Sequence, residues 1–197
     1  MGIMLNKFHQ FVIALVIAGM LVLPGVAAEK TTLPRNDLPG LSNFAKVSDD
    51  VYRGAQPAPA GFAELKKIGI KTIVSLRANH SDEQWLKGSG FYYISIPMEA
   101  NSIGDKQAIA FLKVITDPRY KPCFVHCQHG ADRTGTMIAL YRMYVQGWPR
   151  QEALGELSVY NFHEYFQNLR RYLKKVDLQI LRQKVKAAPA PVYEFIK

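Results

Sequence analysis

The stretch HCQHGADRTG, residues 126 to 135, holds a cysteine, two histidines, an aspartate, an arginine and two glycines in ten positions. A thiol attacks phosphorus as its thiolate. A helix N-terminus, a neighbouring histidine and an arginine can each help lower a cysteine pKa from about 8.5 to between about 3.5 and 7.5. Cys127 has candidates for all three nearby. Arg133 stands six residues on, where its planar fork can fold back and grip two phosphate oxygens. The backbone N–H groups of Gln128, His129, Gly130, Ala131, Asp132 and Arg133 would take up the remaining charge. Gly130 allows the left-handed backbone that so tight a cradle needs, and Gly135 lets the following helix pack closely against the strand. The chemistry this points to is a phosphocysteine, later released by water.

A loop of this kind needs a strand before it and a helix after it. KPCFVH, ending at His126, reads as a short buried strand over Cys123 to His126, and Thr136 to Gln146 reads as a buried helix stopped by Gly147 and Pro149. Upstream, a short strand around Val51 and Tyr52 precedes the turn-rich GAQPAPAG and a helix through Phe62, Leu65 and Ile68 that Gly69 ends. IKTIVSL (70–76) and FYYISIP (91–97) read as strands. Between them Ser81 and Gln84 have capping-box spacing for a short helix, and a further helix is expected from Lys106 to Thr116. Beyond the loop, the spacing predicts a helix from Glu152 to Tyr160. One amphipathic helix should follow through Phe166, Leu169, Leu173, Val176 and Ile180, with a solvated basic face. Strands alternating with helices make this an α/β chain with a largely parallel sheet, and ligands in such sheets bind at the carboxyl ends of strands. A helix N-terminus there favours an anion.

The first residues read differently. After Lys7 comes the apolar run FVIALVIAGMLVL, Phe11 to Leu23, then Pro24 and Gly25 and the small residues Val26, Ala27 and Ala28. The run falls short of the roughly 20 residues of a spanning helix and matches an export signal over 1–28, cleaved before Glu29. Retained, the same segment would be a membrane anchor. A linker (29–40), one folded domain (41–185) and an Ala/Pro-rich tail (186–197) complete the organisation, in a periplasmic or extracellular setting. The two cysteines, Cys123 and Cys127, lie four residues apart on a strand, about 13 Å, whereas a disulfide needs Cα atoms within about 7 Å. They should not pair, and Cys123 reads as a small core residue.

The C-x5-R loop, preceded by His and followed by Thr, resembles the phosphate-binding loop of the cysteine-dependent protein tyrosine phosphatase superfamily, in its small dual-specificity-like branch. YRGAQP (52–57), GIKTIVSLR (69–77) and an IP-containing strand in the same order extend the resemblance over roughly residues 45 to 180. It implies a single-domain α/β fold with a central, mostly parallel sheet of about four to five strands flanked by helices. It also implies Cys127 as nucleophile, Arg133 as oxyanion clamp, Thr134 as the hydroxyl that helps the thiolate leave, and His126 as a support of the loop. The family's separate acidic loop corresponds to IPMEANSIGD (96–105), where Ala100 stands in the aspartate's place and Glu99 is next to it. Asp132, in the D-R-T-G ending shared with lipid phosphatases, is the preferred acid, with a role bracing the loop as its alternative. Glu99 is the second choice for the acid, and Asp105 caps the helix after it. Arg53 reads as scaffold.

No metal or other cofactor is implied, since His129 has no partner at ligand spacing. The net charge of +9 favours anionic substrates. There is no nucleic-acid motif, and no added segment for gripping a phosphotyrosine ring. The expected substrate is a phosphorylated protein, or a phosphoinositide, inositol phosphate or other small phosphoester, handled by a monomer. A catalytically silent phosphate-binding module and a sulfurtransferase are the rival readings.

Overall fold

The computed structural model describes residues 31–189, so the export-signal reading lies outside the described residues. Within them a five-stranded sheet runs in the order β1-β2-β5-β3-β4. The strands are β1 (Ala45–Lys46), β2 (Val51–Gly54), β3 (Thr72–Arg77), β4 (Tyr92–Met98) and β5 (Cys123–His126). β2, β5, β3 and β4 are parallel, and β1 pairs antiparallel on the edge. This is the α/β, mostly parallel sheet that the alternating pattern predicts, and β5 has the residues expected for it.

β5 lies at the centre because the chain first builds outward, through β3 to β4, and then returns between β2 and β3. His126, at its carboxyl end, is level with Gly54 on one side and Ser75 on the other. The reversal of direction leaves a crevice there, and the loop after β5 fills it.

Alternate side chains divide the core. Ile73, Tyr93 and Phe124 face helices α1 (Pro59–Ile68) and α2 (Glu83–Leu86), together with Phe44, Phe62 and Leu65. Val74, Ile94 and Val125 face the larger layer of α3 (Asp105–Thr116), α4 (Asp132–Tyr144), α5 (Arg150–Val159), α6 (Gln167–Lys175) and α7 (Leu178–Ala187). Gly69 ends α1 in the left-handed conformation expected of it, with φ 91°.

Four elements differ from the sequence reading. α4 begins at Asp132, inside the motif, because the Ala131 carbonyl already accepts from the Gly135 N–H and starts the helical ladder there. The single helix expected over 166–180 is two. Asp177 accepts from the backbone N–H groups of Gln179 and Ile180, capping a new helix in the middle of an unbroken apolar repeat. At α2 the N-cap position belongs to Asp82, whose carboxylate is turned into the protein, while Ser81 accepts from the Glu83 N–H. At α3 the N-cap is Gly104, with its N–H bonded to the Gln107 side chain. Asp105 does not cap that helix: it is tied instead to Tyr172 (3.0 Å) and Lys184, from α6 and α7.

α4 is clamped to α5 by a buried ion pair, Arg142 to Glu156 at 2.8 Å, and Arg142 also donates to the Val47 carbonyl and stacks over Trp148. Removing one member of such a pair strands the other charge. Glu156→Ala should therefore lower the unfolding free energy by about 3 to 5 kcal/mol in urea denaturation.

Candidate active site

The loop from Cys127 to Arg133 is held from outside by its carbonyls. The Cys127 carbonyl faces His126 Nδ1 at 3.2 Å, and the Gln128 carbonyl accepts from the Gln56 backbone N–H at 3.2 Å. The His129 carbonyl accepts from Asn43 Nδ2 at 3.1 Å, and the Gly130 carbonyl from the Arg53 guanidinium at 2.8 Å. The Ala131 carbonyl accepts from the Gly135 N–H and the Asp132 carbonyl from the Thr136 hydroxyl, both inside α4. With every carbonyl from 127 to 132 engaged on the outer side, the N–H groups are free for the concave side. Among the described residues none of the amides of 128 to 131 has a protein acceptor. Successive N–H groups converging at a helix N-terminus form an anion cradle.

Gly130 is needed twice over. Its φ is +69°, and a Cβ there would lie 2.4 Å from the Gly54 backbone. Gly135 also admits a close approach, though from another direction than expected. A Cβ would meet Leu157 of α5 at 3.1 Å, so the glycine seats α4 against α5.

Cys127 is buried at the base of the loop, and both cysteines are free. Cys123 donates to the Tyr120 carbonyl, and burial pushes its thiol up to about 12. Thr134 is buried and its hydroxyl has no hydrogen-bond partner, so it is available to a group at the loop's floor. Arg133 is half-buried and donates to the Met98 carbonyl at 3.1 Å, which fixes the end of β4 beside the loop. Glu99, the next residue, is exposed at the start of the turn that leads to α3.

Asp132 is brought to the loop but not turned toward its concave face. Its carboxylate is buried and accepts from the His163 backbone N–H at 2.8 Å, with His163 Nδ1 3.0 Å from each oxygen. This geometry fits the bracing alternative for Asp132 and leaves the role of acid without support there.

Several residues that the sequence reading passed over prove to build the loop. Arg53, read simply as scaffold, is fully buried, with its guanidinium 3.5 Å from the Tyr160 ring centre and its hydrogen bond on the loop itself. Burial pulls its pKa down to about 10, against the attraction of Tyr160, Glu156 and Cys127, so it remains a cation beside the thiol at neutral pH. Asn43, Gln56, Asp82 and His163 had no local signal, because each meets the loop from a distant part of the chain.

A cleft of about 460 Å³ flanks the loop, and its lining includes Asn36, Asn43, Gln56, Gln128, His129 and His163. A larger one, about 590 Å³, lies between residues 101–105 and helices α6 and α7 and includes none of the loop.

Residues 40–174 match the model of a family described as "PTP-NADK: DSP-PTPase phosphatase fused to NAD+ Kinase". The chain belongs to the dual-specificity phosphatase family. It is a cysteine-dependent phosphatase, as the loop resemblance implied. It is 29% identical over 182 residues to the dual-specificity protein phosphatase TpbA of Pseudomonas aeruginosa, covering 88% of this chain and 83% of the relative. A crystal structure of TpbA in complex with phosphotyrosine superposes with a TM-score of 0.67 at 27% identity, covering 79% of this chain and 97% of the other. The inositol diphosphatase DSP3 of Arabidopsis thaliana is 29% identical over 155 residues, covering 72% of this chain and 73% of the relative.

Two outcomes follow for the phosphatase. Gly130→Ala should remove most turnover and weaken vanadate binding, measured by inhibition, because the new Cβ collides with backbone. Iodoacetamide at pH 8 should alkylate Cys127 and leave Cys123 unmodified, as read by peptide mass spectrometry of the folded protein.

Proposed function

We propose that this phosphatase is exported and hydrolyses phosphotyrosine in proteins, with Cys127 as nucleophile, Arg133 as clamp, Thr134 as thiolate partner and Glu99 as general acid. The observation that carries the reading is the carbonyl-out loop around Cys127, which leaves a ring of N–H donors for the three non-bridging oxygens of a phosphate. The phosphotyrosine complex of the TpbA relative supports the substrate. The apolar run Phe11 to Leu23, followed by Pro24 and Ala28, supports export.

In the first step Cys127 Sγ attacks phosphorus and the bond from phosphorus to the leaving oxygen breaks. Glu99 supplies the proton that oxygen takes up. In the second step Glu99 removes a proton from water, the water oxygen attacks phosphorus, and the S–P bond breaks to return the thiolate and free phosphate. The Thr134 hydroxyl donates to the departing sulfur. Arg133 spans both steps, since it can exchange its Met98 carbonyl for two phosphate oxygens. Glu99 is favoured over Asp132 because Asp132 spends both oxygens on His163, while Glu99 follows directly on the residue that Arg133 holds.

A second reading, an inositol phosphate as substrate, is favoured by the cleft beside the loop. Its lining is rich in amide and imidazole groups and contains no carboxylate, which suits further phosphate and hydroxyl groups. The likeness to an inositol diphosphatase supports the same reading.

The deciding assay is phosphate release by residues 29–197, reduced, from a phosphotyrosine peptide and an inositol polyphosphate in parallel. Cys127→Ser should lower release by at least about 10³-fold on both while still binding phosphate. Full activity in that variant would overturn the mechanism. Glu99→Gln should cost about 10²-fold or more on aryl phosphates with poor leaving groups and little on good ones, whereas Asp132→Ala should lower both alike. A selective loss in Asp132→Ala would return the acid to the loop.

A further inference from the structure

Asp82 stands far from the loop in sequence, on the connection between β3 and α2, yet it is completely buried against the loop's base. Its Oδ2 lies 2.9 Å from His126 Nε2, an ion-pair contact without hydrogen-bond alignment, and neither atom has a hydrogen-bond partner. Its Oδ1 accepts from the Gln56 side chain at 2.6 Å and faces His80 Nε2 at 3.2 Å. The backbone of Gln56 in turn donates to the Gln128 carbonyl. One carboxylate is therefore connected to the first two residues of the loop by two routes: through His126 to Cys127, and through Gln56 to Gln128.

The ring of His126 is placed between two oxygens. Asp82 Oδ2 stands at Nε2, and the Cys127 carbonyl stands 3.2 Å from Nδ1. A neutral imidazole has one donor and one acceptor nitrogen, so in this position its lone pair would face a buried oxygen. The doubly protonated ring turns a positive N–H edge toward both oxygens, and a buried imidazolium requires a carboxylate beside it. The other charged or titratable groups around this point are Arg53 from β2, Arg77 and His80 from the end of β3 and its connection, Tyr93 from β4, and Arg133 from α4. Asp132 and Glu156 pair elsewhere, with His163 and Arg142. Burial would raise the Asp82 carboxyl, but the contact with His126, the hydrogen bond from Gln56 and the charges of His126 and His80 outweigh it and hold the group below its ordinary value.

We infer that Asp82 is a positioning residue for the phosphatase reaction: by its ion-pair contact it holds His126 as a fixed cation next to Cys127, and it anchors the loop through Gln56. The inference rests on Cys127 being the nucleophile. In Asp82→Asn both charges of the pair are lost. The imidazolium belongs to the residue next to Cys127 and Asp82 stands on the far side of its ring from the Cys127 carbonyl, so the net effect is a thiolate that forms less readily.

Two measurements test this. In wild-type protein labelled with 15N-histidine, both ring nitrogens of His126 should show the protonated signature at pH 7, and a ring with one bare nitrogen would overturn the inference. In folded Asp82→Asn, the pH at which iodoacetamide alkylation of Cys127 reaches half its plateau rate should rise by roughly one unit. The kcat on 4-nitrophenyl phosphate should fall on the order of 10²-fold with KM little changed. An alkylation profile that overlays the wild type would reduce Asp82 to a structural part and overturn the inference. If the variant does not fold, the wild-type histidine spectrum decides. Full activity in Cys127→Ser would sink the nucleophile assignment without altering that spectrum, so the two failures are distinguishable.

Discussion

The constraint on which the structure depends is that the loop after β5 must present its amides to an anion, so its carbonyls must find partners on the other side. An unpaired buried carbonyl costs about 1 to 3 kcal/mol, so a loop with several of them would not hold this shape. The surrounding elements supply the partners: β2 gives Arg53 and, just beyond it, Gln56, the segment before β1 gives Asn43, the last residue of β5 gives His126, and α4 gives its own first turn. The pairing of β5 with β2 makes this possible, since β2 and the residues just beyond it run alongside the loop. Gly130 belongs to the same constraint, because a Cβ there would collide with the Gly54 backbone next to Arg53.

The same frame distributes charge. Arg53, Arg133 and His126 stand around the loop, and the carboxylates near it are directed elsewhere: Asp82 lies behind His126, Asp132 on His163 and Glu156 on Arg142. Negative charge is thus kept off the concave face, and the buried Arg53 is held by the Gly130 carbonyl and the Tyr160 ring. A phosphate dianion entering the loop meets N–H dipoles and cations already oriented, so little reorganisation is needed as charge moves during the reaction.

What the sequence made legible was whatever the chemistry packs into consecutive residues. Cys127, Arg133 and Gly130 stand within one short motif, and the strand before it is a continuous apolar run, so loop, strand and α/β class could be read together. The support of the loop was not legible. Asp82 lies on a connection whose local pattern suggests only a helix start, and Asn43 sits in a turn-rich segment with nothing to mark it; their meaning exists only after the sheet has folded. The division of α6 from α7 was hidden for a related reason. Leu173, Val176 and Ile180 keep helical spacing across the break, and only the capping carboxylate of Asp177 reveals it. Asp132 was visible but ambiguous, since a carboxylate inside a phosphate loop can serve as acid or brace. The direction it faces is set by His163, thirty-one residues later.

The frame also separates catalysis from selection. Arg53 and His126, which hold the loop, are buried, and changing them disturbs the cradle itself. The groups on its rim are mostly neutral: Gln128 and His129 are exposed, and the cleft beside them is closed by Asn36, Asn161 and the half-exposed His163. These side chains reach a substrate only beyond its phosphate, where hydrogen-bond geometry discriminates among the groups that carry it. His163 belongs to both sets, since one face of it braces Asp132 and another lines the cleft. A substrate group that pressed on that ring would be felt at the first residue of α4, and through it at the loop that holds the phosphate.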